Sequence, residues 1–242
     1  MTAELLLLPG VTQDALVWQW MDLPPARAWV YPGHGDRGRA QDGLTLEGVA
    51  DEIWSVVPTQ VDVVGVAFGG VIAQYLALRH PESVRSMVLA CTTAASEDGQ
   101  RMRSNAEEMR TRGMGPYIEP AIGRWFRRSA RERVPDAVAH IENTMQEFSA
   151  DAYADVIAAM SEHDTRSRLS RIDRPVTLVK GEQDRVGEGA IDALHAELPH
   201  SRMFSIPGAH MVHVDNPGGF SAVIRDHLAW VDNGAPLGKK LG

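Results

Sequence analysis

The sequence has one cysteine, Cys91, among 242 residues, which excludes a disulfide framework and points to a reducing compartment. With no residue near it in sequence to lower its pKa, Cys91 reads as a small buried hydrophobe at the end of an apolar run and not as a nucleophile. No apolar stretch approaches the roughly 20 residues that cross a bilayer. The run Leu5 to Leu8 is too short for a signal-peptide core, follows Glu4 instead of a basic region, and ends at Pro9-Gly10. These absences give an expectation of a cytoplasmic protein with no membrane partner. Positive charge is also scarce: 24 Lys and Arg face 32 Asp and Glu, a formal charge of −8. Phosphate binding needs a positive footprint, so no nucleic-acid partner is expected. The arginine-rich stretch from Arg101 to Arg133 is the local exception, and it reads as a solvated helical surface. There is no internal repeat and no low-complexity tract.

What is present is the composition of an ordinary globular chain, 44% hydrophobic and 23% charged, long enough for one sizeable core with an elaboration. Short apolar runs recur at Leu5–Leu8, Ala28–Tyr31, Val61–Val66, Val84–Ala90, Val176–Val179 and Met203–Ile206. Rich in Val, Ile and Leu without clean alternation, they suit strands covered on both faces. Helical patterns lie between them, such as Val71, Tyr75 and Leu78, and Phe220, Val223 and Ile224. Strand and helix in alternation imply an α/β fold with a mostly parallel sheet flanked by helices.

The alternation breaks between Ala94 and Leu169. EDGQRMRSNAEEMRTRG, PYIEPAIGRWFRRSA, VPDAVAHIENTMQEF and ADAYADVIAAMSEHD read as four helices separated by Gly, Pro and Ser. The expected organisation is a core of residues 1–93 and 170–232, a helical cap (lid) at 94–169 over the carboxyl ends of the strands, and a flexible tail at 233–242.

Gly65-Val66-Ala67-Phe68-Gly69-Gly70 has the frame of a nucleophile elbow, G-x-S-x-G, with alanine at its centre. The plainer reading is a strand-to-helix turn with glycines for packing. Two further segments favour the elbow. Leu178-Val179-Lys180-Gly181-Glu182-Gln183-Asp184 places an acid just beyond a strand, and Ile206-Pro207-Gly208-Ala209-His210 places a histidine after the last one. Nucleophile position, acid, histidine is a recurrent catalytic order on parallel sheets.

With these blocks, and with LLLLPG, YPGHGDRG and IPGAHMVHVDNPGGF, the chain resembles the α/β-hydrolase superfamily over nearly its whole length. Within it, the compact size, the RWF at Arg124–Phe126 and the LVKGEQD and PGAHMVHVDNP blocks look most like the 3-oxoadipate enol-lactonase group. The resemblance implies an α/β-hydrolase fold with a helical cap insertion and a small carboxylic ester or lactone as substrate. It implies His210 as general base, Asp184 as its orienting acid and residue 67 as the nucleophile position. The oxyanion hole would come from the backbone N–H groups of Phe68 and Val11, with Pro9-Gly10 standing where many relatives have His-Gly. Trp125 and Phe126 would wall the substrate pocket, and Arg124, Arg127 or Arg128 either meets a substrate carboxylate or belongs to the solvated face. His34, in a loop block of the family, reads as a turn residue. His210 and His213 form H-x-x-H without a third ligand, so no metal is expected, and no cofactor.

Three explanations of Ala67 stand side by side: an inactivating Ser-to-Ala change, a natural serine-less hydrolase in which His210 activates water, as in the aminoacrylate hydrolases the chain also resembles, or a non-catalytic ligand-binding module. Hydrolysis of a carbon–carbon bond, or cofactor-free dioxygenation, would use the same Asp–His pair.

Overall fold

The computed structural model describes residues 3–57 and 60–235. Six strands form one wholly parallel sheet: β1 (Glu4–Leu8), β2 (Ala26–Ala28), β3 (Val61–Val66), β4 (Val84–Ala90), β5 (Val176–Gly181) and β6 (Ser201–Ile206), in the order β2-β1-β3-β4-β5-β6. Pleating sends alternate residues to opposite faces, and each face has its own core. Leu6, Leu8, Val61, Val63, Met87, Leu89 and Leu178 pack on one side, and Leu5, Leu7, Val64, Val66, Val88, Ala90 and Val179 on the other. Two buried faces are why these strands read as continuous apolar runs.

The expected strand at Ala28–Tyr31 lies earlier, at Ala26–Ala28. Trp29 still donates its N–H to Leu7 (2.9 Å), but Tyr31 then leaves the edge to bury its ring completely and donate its hydroxyl to the carbonyl of Pro9 (3.1 Å). The apolar signal there marks a core loop.

Helices α1 (Leu46–Val56), α2 (Phe68–Arg79), α8 (Ala190–Glu197) and α10 (Pro217–Asp232) flank the sheet. In α2 every residue from Phe68 to Ala77 is buried, which explains its lack of a polar face. Between β4 and β5 the chain forms α3 (Gly99–Arg112), α4 (Gly115–Trp125), α5 (Ala130–Arg133), α6 (Pro135–Glu147) and α7 (Ala150–Ser161). The two crossings into this insertion are tied together by an antiparallel bridge between Ala95 and Asp164 and by Thr165 N–H donating to Ala94 (2.7 Å). Among the described residues no helix is long and apolar enough to cross a membrane. Of the expected tail, 236–242 lie outside the described residues, while Ala235 donates its N–H back to Trp230 (2.8 Å).

A polar relay crosses the core under α10. Arg202 donates to Thr177 Oγ1 (3.0 Å), that hydroxyl meets His227 Nδ1 (2.8 Å), His227 Nε2 meets Ser86 Oγ (2.9 Å), and Ser86 donates to Asp62. Burial, reinforced by the charges of Arg202 and Arg85, pushes the His227 pKa down to about 3. The ring is therefore neutral when folded, whereas in the unfolded chain it takes a proton below its ordinary 6.5. A depressed histidine contributes stability above that ordinary value and loses it as pH falls. His227→Phe is expected to lower stability at neutral pH yet flatten its decline by about 1.4 kcal/mol per pH unit between about pH 6 and 4. Urea denaturation of both proteins across that range checks the slope.

Candidate active site

Every site residue expected from the core stands at the carboxyl end of a strand. Ala67 joins β3 to α2 with φ 49° and ψ −111°, a region that residues with a Cβ rarely visit and that costs on the order of 1–3 kcal/mol. The surroundings impose it. Ala67 donates its N–H to Ala90 (2.9 Å), and its carbonyl accepts from the N–H groups of Gly70 (3.0 Å) and Val71 (3.2 Å) and from the Thr92 hydroxyl (2.8 Å). A Cβ at Gly65 would stand 2.5 Å from the Gly69 carbonyl oxygen, and one at Gly69 would fall on the carbonyl oxygen of Leu8. Only glycine permits β1, β3 and α2 to approach this closely. The elbow conformation is thus present with no nucleophile on it.

Asp184 and His210, which follow β5 and β6, meet: Nδ1 of His210 is 3.2 Å from both carboxylate oxygens. Asp184 Oδ1 also accepts from Val186 N–H (2.9 Å). Burial alone would raise the Asp184 pKa, but the His210 contact and charge, with help from Val186 and Cys91, hold it below the ordinary carboxylate value. An ionised Asp184 assigns the ring proton to Nδ1 and leaves the Nε2 lone pair free to accept.

The loop after β1 supplies Val11. Gly10 donates its N–H to Gln13 Oε1 (2.9 Å), and the buried Gln13 amide bridges to the histidine loop through Met211 Sδ (2.8 Å) and His213 Nε2 (3.3 Å). Phe68, at the start of α2, stacks edge-on with Tyr31 at 4.8 Å between ring centroids. Val11 and Phe68 accordingly follow the neighbouring strands β1 and β3, and α2 approaches β1 at Gly69 and Leu8.

The insertion is clamped to the histidine loop. Met211 donates its N–H to the carbonyl of Trp125 (2.9 Å). Asp215, in the short helix α9 (Val212–Asp215) and fully buried, accepts from Ala209 N–H (3.0 Å), Arg127 N–H (3.2 Å) and Arg127 Nε (3.0 Å), and pairs with Arg133. Its carbonyl takes further bonds from both guanidinium groups at 3.1 Å. Beside Asp184 lies a cleft of about 660 Å³ bordered by Arg124, Phe126, Arg127, Arg128, Gln183 and Arg185. Arg127 is committed to Asp215. The side chains of Arg124, Arg128 and Arg185 have no hydrogen-bond or ion-pair partner among the described residues. A second cleft, about 1020 Å³, lies between the Thr12–Leu16 loop and Phe148 on the insertion. Trp125 lines neither; it is packed in the apolar cluster shared by core and insertion.

His34 sits in a buried turn, Nδ1 3.3 Å from the Pro32 carbonyl, and burial lowers its pKa to about 4. His210 and His213 do not face one way: His210 precedes α9 and turns to Asp184, while His213 is buried against Trp18 and Phe220 with its pKa lowered to about 3 by burial and the nearby His210. Sequence reasoning missed Asp215 and Gln13, each defined by partners distant along the chain, and Arg185, which shares a cleft with Arg124 and Arg128. It also missed that Cys91, buried with a positive φ of 47°, stands beside Asp184 and His210. Burial, then the charge of Asp184, pushes its thiol pKa well up.

The model of the Alpha/beta hydrolase family matches residues 5–223. The chain is 30% identical over 166 residues to 3-oxoadipate enol-lactonase 2 of Acinetobacter baylyi, a match spanning 68% of this chain and 62% of that protein. It is 30% identical over 227 residues to a pimeloyl-[acyl-carrier protein] methyl ester esterase of Neisseria meningitidis, covering 86% of this chain and 84% of the relative. Among solved structures, the enol-lactonase from Burkholderia xenovorans superposes with a TM-score of 0.89 at 20% identity, covering 95% of this chain and 92% of that one.

Proposed function

Because the chain belongs to the alpha/beta hydrolase family, we propose that its site is built to hydrolyse a small carboxylic ester or lactone by a Ser-His-Asp mechanism, with Ala67 in the nucleophile position. The observation that carries this reading is the strained elbow at Ala67 kept at the same carboxyl edge of the parallel sheet as a hydrogen-bonded His210–Asp184 pair. A plain strand-to-helix turn has no use for a backbone held at that cost. The names of the relatives, a lactonase and a methyl ester esterase, agree with the substrate class.

In the working form a hydroxyl at residue 67 gives its proton to His210 Nε2 and attacks the carbonyl. The N–H groups of Val11 and Phe68 stabilise the oxyanion, and Asp184 holds the ring in the required tautomer and stabilises the imidazolium. Water activated by His210 then releases the acid. In this chain a methyl group at residue 67 leaves the nucleophilic step without an attacking atom, and ester turnover is correspondingly small. The insertion at 94–169 acts as the cap, and the unpaired Arg124, Arg128 and Arg185 favour a substrate with a carboxylate.

The test is a panel of short esters and lactones, neutral and carboxylate-bearing, assayed with the Ala67→Ser protein. Arg128→Ala and Arg185→Ala in that background are expected each to raise KM for the charged substrates about tenfold with kcat unchanged, the loss of one charge-assisted hydrogen bond, and to leave neutral substrates alone. Equal effects on both classes would remove the carboxylate from the proposal.

A further inference from the structure

We infer that Cys91, Asp184 and His210 form a binding site for a borderline or soft divalent cation such as zinc, cobalt or cadmium. A thiol sulfur, a carboxylate oxygen and a ring nitrogen from these residues all lie within 4.8 Å of one another. The fit is best along one edge: the Asp184 oxygens are 3.2 Å from His210 Nδ1, close to the roughly 3.3 Å that separates two donors around a tetrahedral ion with bonds of about 2.0 Å. Cys91 is anchored beside this pair, its sulfur within 4.8 Å of both other donors. Its backbone kinks at φ 47°, its N–H is bonded to Val179 (3.1 Å), and its sulfur lies 3.8 Å from the Ala209 carbonyl. The set mixes sulfur, nitrogen and oxygen, which suits borderline and soft ions and not magnesium or calcium.

Charge favours the same conclusion. Thiolate, carboxylate and neutral imidazole around a 2+ ion sum to zero, so the filled site buries no net charge. The ion takes the place of the Cys91 thiol proton, which is released, and of the Nδ1 proton, which moves to Nε2. His210 then presents N–H where the proposed hydrolysis needs a lone pair. That consequence rests on the hydrolase reading; the site itself does not. The arginines of the neighbouring cleft oppose a cation, a penalty that salt screens.

The experiment is titration of the reduced, metal-free full chain with Co²⁺ at about 0.15 M salt, near-physiological screening. One equivalent is expected to produce tetrahedral d–d bands and a thiolate-to-cobalt charge-transfer band. Cys91→Ser should abolish the charge-transfer band, and Asp184→Asn and His210→Gln should each weaken binding by at least about tenfold. Circular dichroism establishes that the variants fold, and should Cys91→Ser fail to, the other two carry the test. Absence of a saturable charge-transfer band would overturn the site, as would a band equally strong in Asp184→Asn and His210→Gln, which would make Cys91 the sole ligand. No substrate enters the measurement, so its failure is separable from failure of the hydrolase reading.

Discussion

Ala67→Ser is expected to raise turnover of the best ester or lactone by three orders of magnitude or more. Loss of the nucleophile from a serine protease triad costs about 10⁶ in rate and leaves about 10³–10⁴ over water from the rest of the site, so restoration has that range to recover. The gain requires no rearrangement of the backbone. The φ of 49° at residue 67 is set by the glycines at 65 and 69 and by the bonds to Ala90 and Thr92, and serine differs from alanine by one oxygen. His210 is already held by Asp184. The measurement is steady-state hydrolysis by both proteins, with His210→Gln in the serine background as control: it should return the rate to that of the alanine protein. If serine brings no gain and the alanine protein turns over at the same rate, His210 activates water directly. If neither turns over any ester or lactone, the site binds without hydrolysing and the proposed chemistry falls.

Asp215→Ala is expected to cost about 3 kcal/mol of folding stability, the lower end of what breaking a buried ion pair costs. The lower end applies because Arg127 and Arg133 are 20% and 39% exposed and can partly rehydrate once their partner is gone. The Ala209 N–H, next to His210, cannot. In the serine background the same change should therefore both lower kcat and raise KM, since Asp215 holds Ala209, next to His210, and also Arg127, which borders the cleft. Asp215→Asn keeps an oxygen for Ala209 and should recover part of kcat while remaining less stable than the parent. Urea denaturation and steady-state kinetics on the same preparations read both effects. An Asp215→Ala protein with parental stability would show that the clamp contributes nothing.

Most of the sheet was legible because a strand buried on both faces leaves a contiguous apolar run. The runs at Val61–Val66 and Val84–Ala90 coincide with β3 and β4, and those for β1, β5 and β6 begin or end within two residues of the observed strands. At the β2 edge that logic fails, for Ala26 and Arg27 are exposed while the apolar Trp29 and Tyr31 belong to the loop. The four helices of the insertion were readable from their punctuation, and only the single turn at Ala130–Arg133 escaped. The elbow, Asp184 and His210 could be found because each lies in a short local frame after a strand. Asp215, Gln13 and Cys91 could not, since their significance arises from partners brought by the sheet order. The arginines show the limit of composition: Arg124 lies on the exposed face of α4, as read, but Arg128 lies in the turn after it, and both border a cleft whose other wall carries Arg185 from the loop after β5.

The glycine contacts around residue 67 also bear on inheritance. Since the backbone and not the side chain maintains the turn, a change between serine and alanine there alters chemistry while leaving the fold nearly untouched. Alanine and serine codons can differ by a single base. A lineage with this scaffold can thus exchange a hydroxyl for a methyl group at this turn and regain it in one step, without passing through a misfolded intermediate that selection would remove.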